Sequence, residues 1–480
     1  MDGGHFTTPC LAERRCDRYG IGFAEHFRYH YVLSGEAFRS YPGWHRHTIG
    51  RTTLHVGDAL PVAEVTDIDG TPVGWILGIA THPDHGVITS LRIEAKALSA
   101  SFVADFEAAV TDFAGRYVAV LTTRHLRRVY GDPTGDLPVI FDPDTGRVGS
   151  SLGVVLDRSV SMAAGPGAKR ILRHRRHVAF GRTIDDRARY CLPNHYLDLD
   201  SCETVRFWPA EDLPFDVLRA ETDAVTDQII ERLRFNIDVL SSNFDAIMPL
   251  TGGRDSRIML ACILPDASSV TAFVCHRFNG MSRRDAKTAK AIADHLSLPF
   301  QQFYKKERTT ADSRDLRLRM GWSGARGEAQ AIASMNDYPA DHLVLRGQIM
   351  EVLRGTQWQD GAFRKSTGAA HLLSKAGVLE PDATPETRAA ALTEMESWLA
   401  DLPERARYRA PDLAWIEFKL SHYQGGYFMG FHRSFFINPF NDRHLIYRGI
   451  ALRPSLRKGG HIVRDILRRT APELLEFPFN

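Results

Sequence analysis

Residues 244–264 read FDAIMPLTGGRDSRIMLACIL, and this stretch decides how the second half of the chain is interpreted. It begins with a short apolar segment that ends at Leu250. The small-residue loop 251–256 follows, and then an apolar pattern that predicts a helix from Arg257. Two glycines let backbone amides approach an anion closely, and a helix start adds free N–H donors and the positive end of a dipole. The stretch therefore predicts a phosphate-binding loop between a strand and a helix.

The same loop also has a purely structural interpretation, in which the glycines shape a turn and Asp255 and Ser256 cap the helix. The Walker pattern G-x-x-x-x-G-K-[ST] is absent, so this is not the loop of a P-loop NTPase. Arg254 and Arg257 could neutralise a bound phosphate if their side chains turn inward, or they could be solvated. Asp255 offers a carboxylate to a magnesium ion that is shared with a nucleotide.

The sequence around this loop alternates strand candidates with helix candidates. The strand candidates are FDAIMPL (244–250), SSVTAFVC (268–275) and DHLVLRG (341–347), and the helix candidates are SRIMLACIL (256–264), SRRDAKTAKAIADHL (282–296) and GEAQAIASMND (327–337). Such alternation predicts parallel βαβ units. The earlier residues instead contain short β candidates between turns and one helix candidate, SFVADFEAAVTDFAG (101–115). We therefore divide the chain into domains 1–209 and 210–480.

The composition is that of an ordinary globular protein. Of 480 residues, 44% are hydrophobic and 25% are charged, which argues against a disordered chain, a collagen or a disulfide scaffold. The 60 basic and 58 acidic residues give a net charge of +2, which argues against a general nucleic-acid or membrane-surface binder. The six cysteines form no C-x-x-C pair, so a zinc ribbon and a thioredoxin-type motif are excluded.

The sequence also bears on where the protein resides. The N-terminal segment MDGGHFTTPCLAERRC lacks the apolar region of a secretion signal. No stretch approaches the roughly 20 apolar residues that span a bilayer. Because the scattered cysteines also fit a reducing compartment, we expect a soluble cytoplasmic protein.

The loop TGGRDS resembles the S-G-G-x-D-S pyrophosphate loop of the asparagine synthetase family, whose relatives include β-lactam synthetases and lasso-peptide cyclases. Other stretches are similar to motifs of that family: DFAGRYVAVL (112–121), RRVYGDPTGDLPVIF (127–141), GSSLGVVL (149–156), SRRDAKTAKAIADHLSLPFQQF (282–303) and NPFNDRHLI (438–446). The resemblance implies a two-domain protein of α+β and α/β class. Domain 1–209 would be a four-layer αββα Ntn-hydrolase-like sandwich related to class II glutamine amidotransferases. Domain 210–480 would be a parallel-sheet PP-loop ATP-pyrophosphatase domain.

The resemblance also implies a nucleotide site with a metal. ATP would be held by Thr251, Gly252, Gly253, Arg254, Asp255, Ser256, Val274 and Gly347, and Mg²⁺ by Asp255 and Glu351. A bound carboxylate would attack the α-phosphate of ATP to give an acyl-adenylate and pyrophosphate. An amine would then displace AMP to form an amide.

Two departures from the family's pattern concern the catalytic groups of its two domains. Asp2 stands where the family has the cysteine that hydrolyses glutamine, so we expect no glutaminase activity. The motif G-E-G-x-D-E-L aligns with GQIMEVL (347–353). This alignment places Gln348 at the catalytic glutamate, where an amide cannot act as a base, and Glu351 at the metal-binding aspartate.

A third departure concerns the lysine that stabilises charge in the second step. The family's K-x-x-L-R corresponds to RDILR (464–468), so Arg464 takes the position of the lysine. A guanidinium could still hold a phosphate or a carboxylate through two hydrogen bonds. Lys458, in the glycine-bearing stretch RKGG, is an alternative.

The resemblance and these departures from it together predict an ATP- and Mg²⁺-dependent, AMP-forming amide ligase without glutaminase activity. Secondary metabolism, peptide tailoring and cell-surface polysaccharide amidation are all natural settings for such an enzyme. Its partners would be a small-molecule or peptide carboxylate and an amine donor, with no nucleic-acid or membrane partner. The oligomeric state stays open, a homodimer included. One alternative is a catalytically retired nucleotide-binding or scaffold protein of the same fold, which Gln348 and Arg464 favour. Another is a tRNA-modifying PP-loop enzyme, which would need thiols near the loop or a basic RNA-binding domain.

Overall fold

The computed structural model describes residues 9–35, 41–162, 178–277, 280–304, 306–307, 309–322, 337–358, 368–376, 379 and 383–480. Within them the chain is a mixed α/β structure with two mainly antiparallel sheets and one parallel sheet. Asp2, and all but the last residue of the helix expected at 327–337, lie outside these ranges. None of the helices in the described ranges is both long enough and apolar enough to cross a bilayer.

The first half of the chain builds the two mainly antiparallel sheets. Its strands are β1 (Tyr31–Ser34), β2 (His45–Ile49), β3 (Thr52–Val56), β4 (Val62–Thr66), β5 (Pro72–His82), β6 (Gly86–Val87), β7 (Ser90–Arg92), β8 (Ala114–Thr122), β9 (Arg127–Gly131), β10 (Ile140–Asp142), β11 (Arg147–Gly149), β12 (Arg189–Tyr190), β13 (His195–Asp198) and β14 (Thr204–Arg206). A six-stranded sheet has the order β12-β10-β11-β1-β3-β2. An eight-stranded sheet has the order β14-β13-β9-β8-β5-β4-β7, with β6 paired to β5. The helices of this half are α1 (Leu11–Tyr19), α2 (Phe23–His26), α3 (Phe102–Asp112) and α4 (Leu152–Val155).

The central strands of both sheets are buried on both of their faces. Alternate residues of the two sheets, such as Leu33 and Val120, meet in one core between the sheets. The opposite face of the six-stranded sheet, including Val32, packs under α1. The opposite face of the eight-stranded sheet packs under α3 through Phe102 and Phe106. The helical spacing of these phenylalanines predicted α3, and that prediction is confirmed.

The second half builds the parallel sheet. Its strands are β15 (Ala246–Pro249), β16 (Val270–Arg277), β17 (Phe300–Tyr304), β18 (Leu343–Leu345) and β19 (Phe435–Ile437), in the order β17-β16-β15-β18-β19 with every pair parallel. The three strands expected from the sequence are confirmed as β15, β16 and β18. The edge strands β17 and β19 were not predicted.

The described helices of this half surround the parallel sheet. They are α5 (Thr222–Asn243), α6 (Arg254–Ile263), α7 (Gly280–His295), α8 (Thr310–Arg319), α9 (Ala369–Ala376), α10 (Pro385–Asp401), α11 (Glu404–Arg407), α12 (Ala410–Ala414), a π-helix (Trp415–Gly425), α13 (Gly426–Met429), α14 (Arg443–Ala451), α15 (Pro454–Arg457) and α16 (His461–Thr470). Short 3₁₀ helices lie at Arg219–Glu221, Leu264–Ser269, Met350–Arg354, Thr356–Trp358, Lys458–Gly460 and Pro472–Leu475. The helix after the loop begins at Arg254, three residues earlier than predicted, because Gly253 already has the extended conformation of an N-cap.

Buried hydrogen bonds join the two halves of the chain. Asn441, which lies just beyond β19, donates from Nδ2 to Asp132 Oδ1 at 2.8 Å and to the Gly115 carbonyl at 2.7 Å. Asn438 donates to Asp136 Oδ2 at 2.5 Å. The two aspartates are fully buried, so these amides satisfy acceptors that water does not reach. These hydrogen bonds therefore join the interior of the first half to the carboxyl edge of the parallel sheet.

Candidate functional site

The loop 251–256 lies at the carboxyl end of β15, the central strand of the parallel sheet. Strands β16 and β17 lie on one side of β15, and β18 and β19 lie on the other. Parallel α/β sheets bind ligands in the crevice outside the carboxyl ends of the strands, where the strand order changes direction. The segment 346–354 follows β18 and meets the loop at this edge.

Side-chain bonds within the loop fix its shape. Ser256 Oγ lies 2.9 Å from Thr251 Oγ1 and accepts from the Thr251 amide at 3.2 Å. Thr251 Oγ1 also accepts from the Gly253 amide at 3.1 Å. These bonds close a compact turn before α6, whose N-cap is Gly253 without a side-chain cap bond. Asp255 and Ser256 therefore lie within the first turn of the helix and do not cap it, contrary to the structural interpretation, while the turn itself is compatible with phosphate binding.

Gly347 and Val274, which the resemblance places at the nucleotide, both contact this turn. A Cβ on Gly347 would lie 3.2 Å from the carbonyl oxygen of Asp255, so the segment after β18 approaches the start of α6 closely and a larger residue there would have to shift one of them. The Val274 carbonyl accepts from the Leu250 amide at 2.8 Å, which ties β16 to the beginning of the loop. The side chain of Val274 is fully buried in the sheet.

The guanidinium of Arg257 is bonded to backbone carbonyls and is not free to contact a phosphate, contrary to the role suggested from the sequence. Its guanidinium is fully buried and donates to the carbonyls of Gly252 at 3.0 Å, Leu474 at 3.0 Å and Phe477 at 2.8 Å, and also to that of Pro478. Burial lowers the pKa of Arg257 to about 10. Arg257 therefore fastens the segment 474–478 to the loop.

Asn480, two residues beyond the segment that Arg257 fastens, lies directly over the loop. Asn480 donates from Nδ2 to Asp285 Oδ1 at 3.2 Å and to Thr288 Oγ1 at 3.1 Å, and its amide reaches the Gly252 carbonyl at 3.3 Å. A Cβ on Gly252 would lie 2.1 Å from Asn480 Nδ2, so no larger residue fits at Gly252 without moving Asn480. No motif in the sequence pointed to this contact.

Asp255 and Glu351, the two predicted metal ligands, lie close together and share a cation. Arg354 Nη2 lies 2.9 Å from Asp255 Oδ2 and 3.3 Å from Glu351 Oε1. Asp255 Oδ1 and Glu351 Oε2 are buried and have no hydrogen-bond partner among the described residues. Burial and the neighbouring Glu351 raise the pKa of Asp255 to about 7, although Arg354 and Arg254 act in the opposite direction. The sequence analysis did not single out Arg354.

The arrangement does not fit a magnesium ion held between these two carboxylates. Carboxylate oxygens are the right donors for Mg²⁺, but the guanidinium of Arg354 already lies within reach of both side chains. Magnesium at Asp255 and Glu351 therefore stays a prediction that the resemblance makes and the geometry does not favour.

Gln348 and Ile349 lie in the turn between β18 and the 3₁₀ helix Met350–Arg354. The side-chain oxygen of Gln348 is buried without a hydrogen-bond partner in the described structure. Ile349 has φ of 74°, a left-handed conformation that a β-branched residue rarely adopts. Such strain persists only where the surroundings impose it, and it concentrates at functional sites.

Lys458 lies beside Gly355, at the other end of the 3₁₀ helix Met350–Arg354, and Arg464 lies in α16, which follows Lys458 in the chain. A Cβ on Gly355 would lie 3.4 Å from the Lys458 amide nitrogen, which places the 3₁₀ helix Lys458–Gly460 against Met350–Arg354. Arg464 donates from Nη1 to the Gly459 carbonyl at 2.8 Å. A Cβ on Gly460 would lie 3.6 Å from Arg254 Nε, so this segment also reaches the loop. The fold thus brings the basic candidates and the two carboxylates to one edge of the sheet.

The thiols near the start of the chain are not poised for catalysis. Burial raises the pKa of the Cys10 thiol far above its usual range, and it raises that of Cys16 to about 12. Cys10 caps α1 by accepting from the Glu13 amide at 3.4 Å. A catalytic cysteine acts as a thiolate, so these two residues have structural roles.

Comparison with protein-family models and with curated proteins assigns this chain to no family. No protein-family model matches the chain, and no curated protein matches it either. The residues and distances described above therefore carry the functional interpretation.

Proposed function

We propose that the loop 251–256 binds the phosphates of ATP and that the chain uses the nucleotide to activate a carboxylate for amide formation. One observation carries this proposal: a compact loop with two glycines joins the central strand of a parallel sheet to a helix, at the point where the strand order changes direction. This is where open α/β sheets bind nucleotides.

The layers of the first half support the relation to the asparagine synthetase family. Two stacked sheets lie between α1 on one side and α3 on the other, which is the order expected of an Ntn-hydrolase-like sandwich. The turn after β18 supports the alignment of the second motif. The alignment puts a glycine of G-E-G-x-D-E-L at Ile349, and a positive φ is what that glycine would permit.

The charges at this edge fit the proposed chemistry. Arg254 begins α6, and Arg464 is bonded to Gly459 in the segment 458–460 that approaches Arg254. Positive charge here would offset the negative charge of a triphosphate and of the pyrophosphate it releases. The amine would then attack the activated carbonyl as a neutral nucleophile. Gln348 cannot remove its proton, so the proton would leave to solvent or to a base on the substrate.

The contacts around the loop favour one further candidate, a nucleotide-binding protein that performs no ligation. Arg354 bridges the two carboxylates proposed for the metal, and Asn480 covers Gly252. In both contacts a side chain of the protein occupies a position that a metal ion or a substrate would use in a ligase. A pocket that senses a nucleotide or docks a partner needs binding but no turnover.

Exchange of labelled pyrophosphate into ATP, with a panel of candidate carboxylates, tests the ligase against the binding protein. We expect exchange that depends on one class of carboxylate and is lost in Asp255→Ala. Asp294→Asn is the matched control, because Asp294 lies in the last turn of α7, at the opposite edge of the sheet, where it pairs with Lys290. ATP binding without exchange across the panel would favour the binding protein, and absence of ATP binding would refute both.

A second assay tests the predicted loss of glutaminase activity. The full chain is incubated with glutamine, with and without ATP, and free glutamate is measured. We expect no release above the rate without protein. Clear release would contradict the assignment based on Asp2.

A further inference from the structure

The most unusual feature of the site is the cation at its centre. Arg354 ends the 3₁₀ helix Met350–Arg354, and Gly355, with φ of 55°, turns the chain immediately afterwards. This turn and the short helix fix the backbone from which the guanidinium reaches Asp255 and Glu351. The guanidinium is therefore positioned by local structure as well as by its two ion pairs.

We propose that Arg354 takes the place of a divalent cation, so that the chain binds the phosphates of a nucleotide without recruiting a metal ion to Asp255 and Glu351. This inference rests on the proposed nucleotide site. A guanidinium is always charged at neutral pH and presents several donors in a fixed plane. In Arg354, Nη2 contacts the two carboxylates, and Nε is buried without a hydrogen-bond partner among the described residues. Asp255 and Glu351 thus act as positioning residues for Arg354.

The charge balance of the cluster agrees with this role. Arg254 lies close enough to act electrostatically on Asp255, so two guanidiniums, of Arg354 and Arg254, oppose the two carboxylates. A divalent ion between the carboxylates would stand next to the positive charge of Arg354, and like charges at such distances repel. An anionic phosphate that contacts Arg354 meets no such repulsion from it.

Binding of Mn²⁺ alone tests the first half of the proposal, with free Mn²⁺ followed by electron paramagnetic resonance. We expect no stoichiometric Mn²⁺ site in the wild-type chain. Arg354→Met should gain one site, because it leaves two adjacent carboxylates without a cation, and Arg354→Met combined with Asp255→Asn should lose that site again. A wild-type site that disappears in Asp255→Asn would overturn the proposal, and so would an Arg354→Met chain that folds but gains no site.

Binding of ATP and of inorganic tripolyphosphate, measured by calorimetry in EDTA and in Mg²⁺, tests the second half. We expect wild-type affinities in EDTA to stay within about threefold of those in Mg²⁺. Arg354→Met should weaken binding in EDTA by about tenfold or more, as expected for loss of a charged donor, with Mg²⁺ restoring much of the loss. Arg317→Met, on the exposed face of α8, is the matched control. A wild-type affinity that collapses in EDTA would overturn the proposal.

The two measurements separate this inference from the proposed function. A wild-type chain that excludes Mn²⁺, and gains a site on loss of Arg354, supports the role of Arg354 even if neither polyphosphate binds. Failure of both polyphosphates to bind in either condition would then contradict the proposed nucleotide site instead. The wild-type Mn²⁺ titration needs no variant, so poor folding of Arg354→Met cannot hide a contrary result.

Discussion

Arg457→Met should destabilise the chain by about 3–5 kcal/mol, which is the usual effect of breaking a buried ion pair by removing one partner. Arg457 and Asp412 are both fully buried and make two bonds, of 3.1 Å and 2.7 Å. Arg457 Nη1 also donates to the Val352 carbonyl at 2.7 Å. After the substitution, Asp412 keeps one described bond, from Trp358 Nε1 at 2.9 Å. Its negative charge would remain in a medium that solvates it poorly.

Equilibrium unfolding in urea, followed by circular dichroism and by tryptophan fluorescence, measures this effect. Arg469→Met is the control, because Arg469 pairs with Asp223 and Asp465 at the surface, where such pairs contribute about 0–1 kcal/mol. Combining Arg457→Met with Asp412→Leu should recover much of the loss, because neither charge is then left alone. A single variant within about 1 kcal/mol of the wild type, or a double variant no better than the single one, would refute the reasoning.

Three further predictions concern the loop and the junction between the halves. Burial and Asp132 raise the pKa of Asp136 to about 8, so the folded chain holds that proton until the pH nears 8, whereas the unfolded chain loses it near pH 4. The free energy of unfolding should therefore fall as the pH rises from 4 to 8, by at most about 1.4 kcal/mol per unit of pKa difference, and Asp136→Asn should flatten that dependence in urea titrations. Arg257→Met should cost about 3 kcal/mol and reduce hydrogen-exchange protection of residues 474–480, since their carbonyls lose a charged donor; unchanged protection would contradict this role. Gly425→Ala would bring a Cβ within 2.1 Å of the Gly135 carbonyl, so it should lower the urea midpoint by the equivalent of about 2 kcal/mol, whereas Gly22→Ala, with open space around it, should not.

Local patterns sufficed for the central elements of the parallel sheet. Strands β15, β16 and β18 are short apolar runs, and helix candidates follow the first two, so their identity is visible within a window of ten to twenty residues. The edge strand β19 has three residues and follows β18 only after a long series of helices. Its place in the sheet depends on pairing with β18, which no local periodicity encodes.

The residues of the candidate site also fall into two groups: those that a local motif predicts and those that only the tertiary structure reveals. Thr251, Ser256 and Gly347 could be proposed from the sequence because their spacing around a strand end resembles a known motif. Arg354 and Asn480 belong to no motif, and each reaches the loop through the tertiary structure. Long polar side chains often look like solvated surface residues in a sequence. Only the tertiary structure shows that Arg354 contacts two carboxylates and is not a solvated surface residue.

The junction between the halves gives the first half a role that does not depend on glutamine hydrolysis. The segment 438–442, which follows β19 at the carboxyl edge of the parallel sheet, is bonded to Asp132 and Asp136 in the first half. Arg116, also fully buried, donates to the Phe436 carbonyl within β19 at 3.3 Å. Without the first half, these amides and this carbonyl would lose their partners, and an edge strand of the sheet that carries the proposed nucleotide site would lose its support. Whether or not the first half hydrolyses glutamine, the chain therefore needs it, because it holds one side of the proposed nucleotide-binding sheet in place.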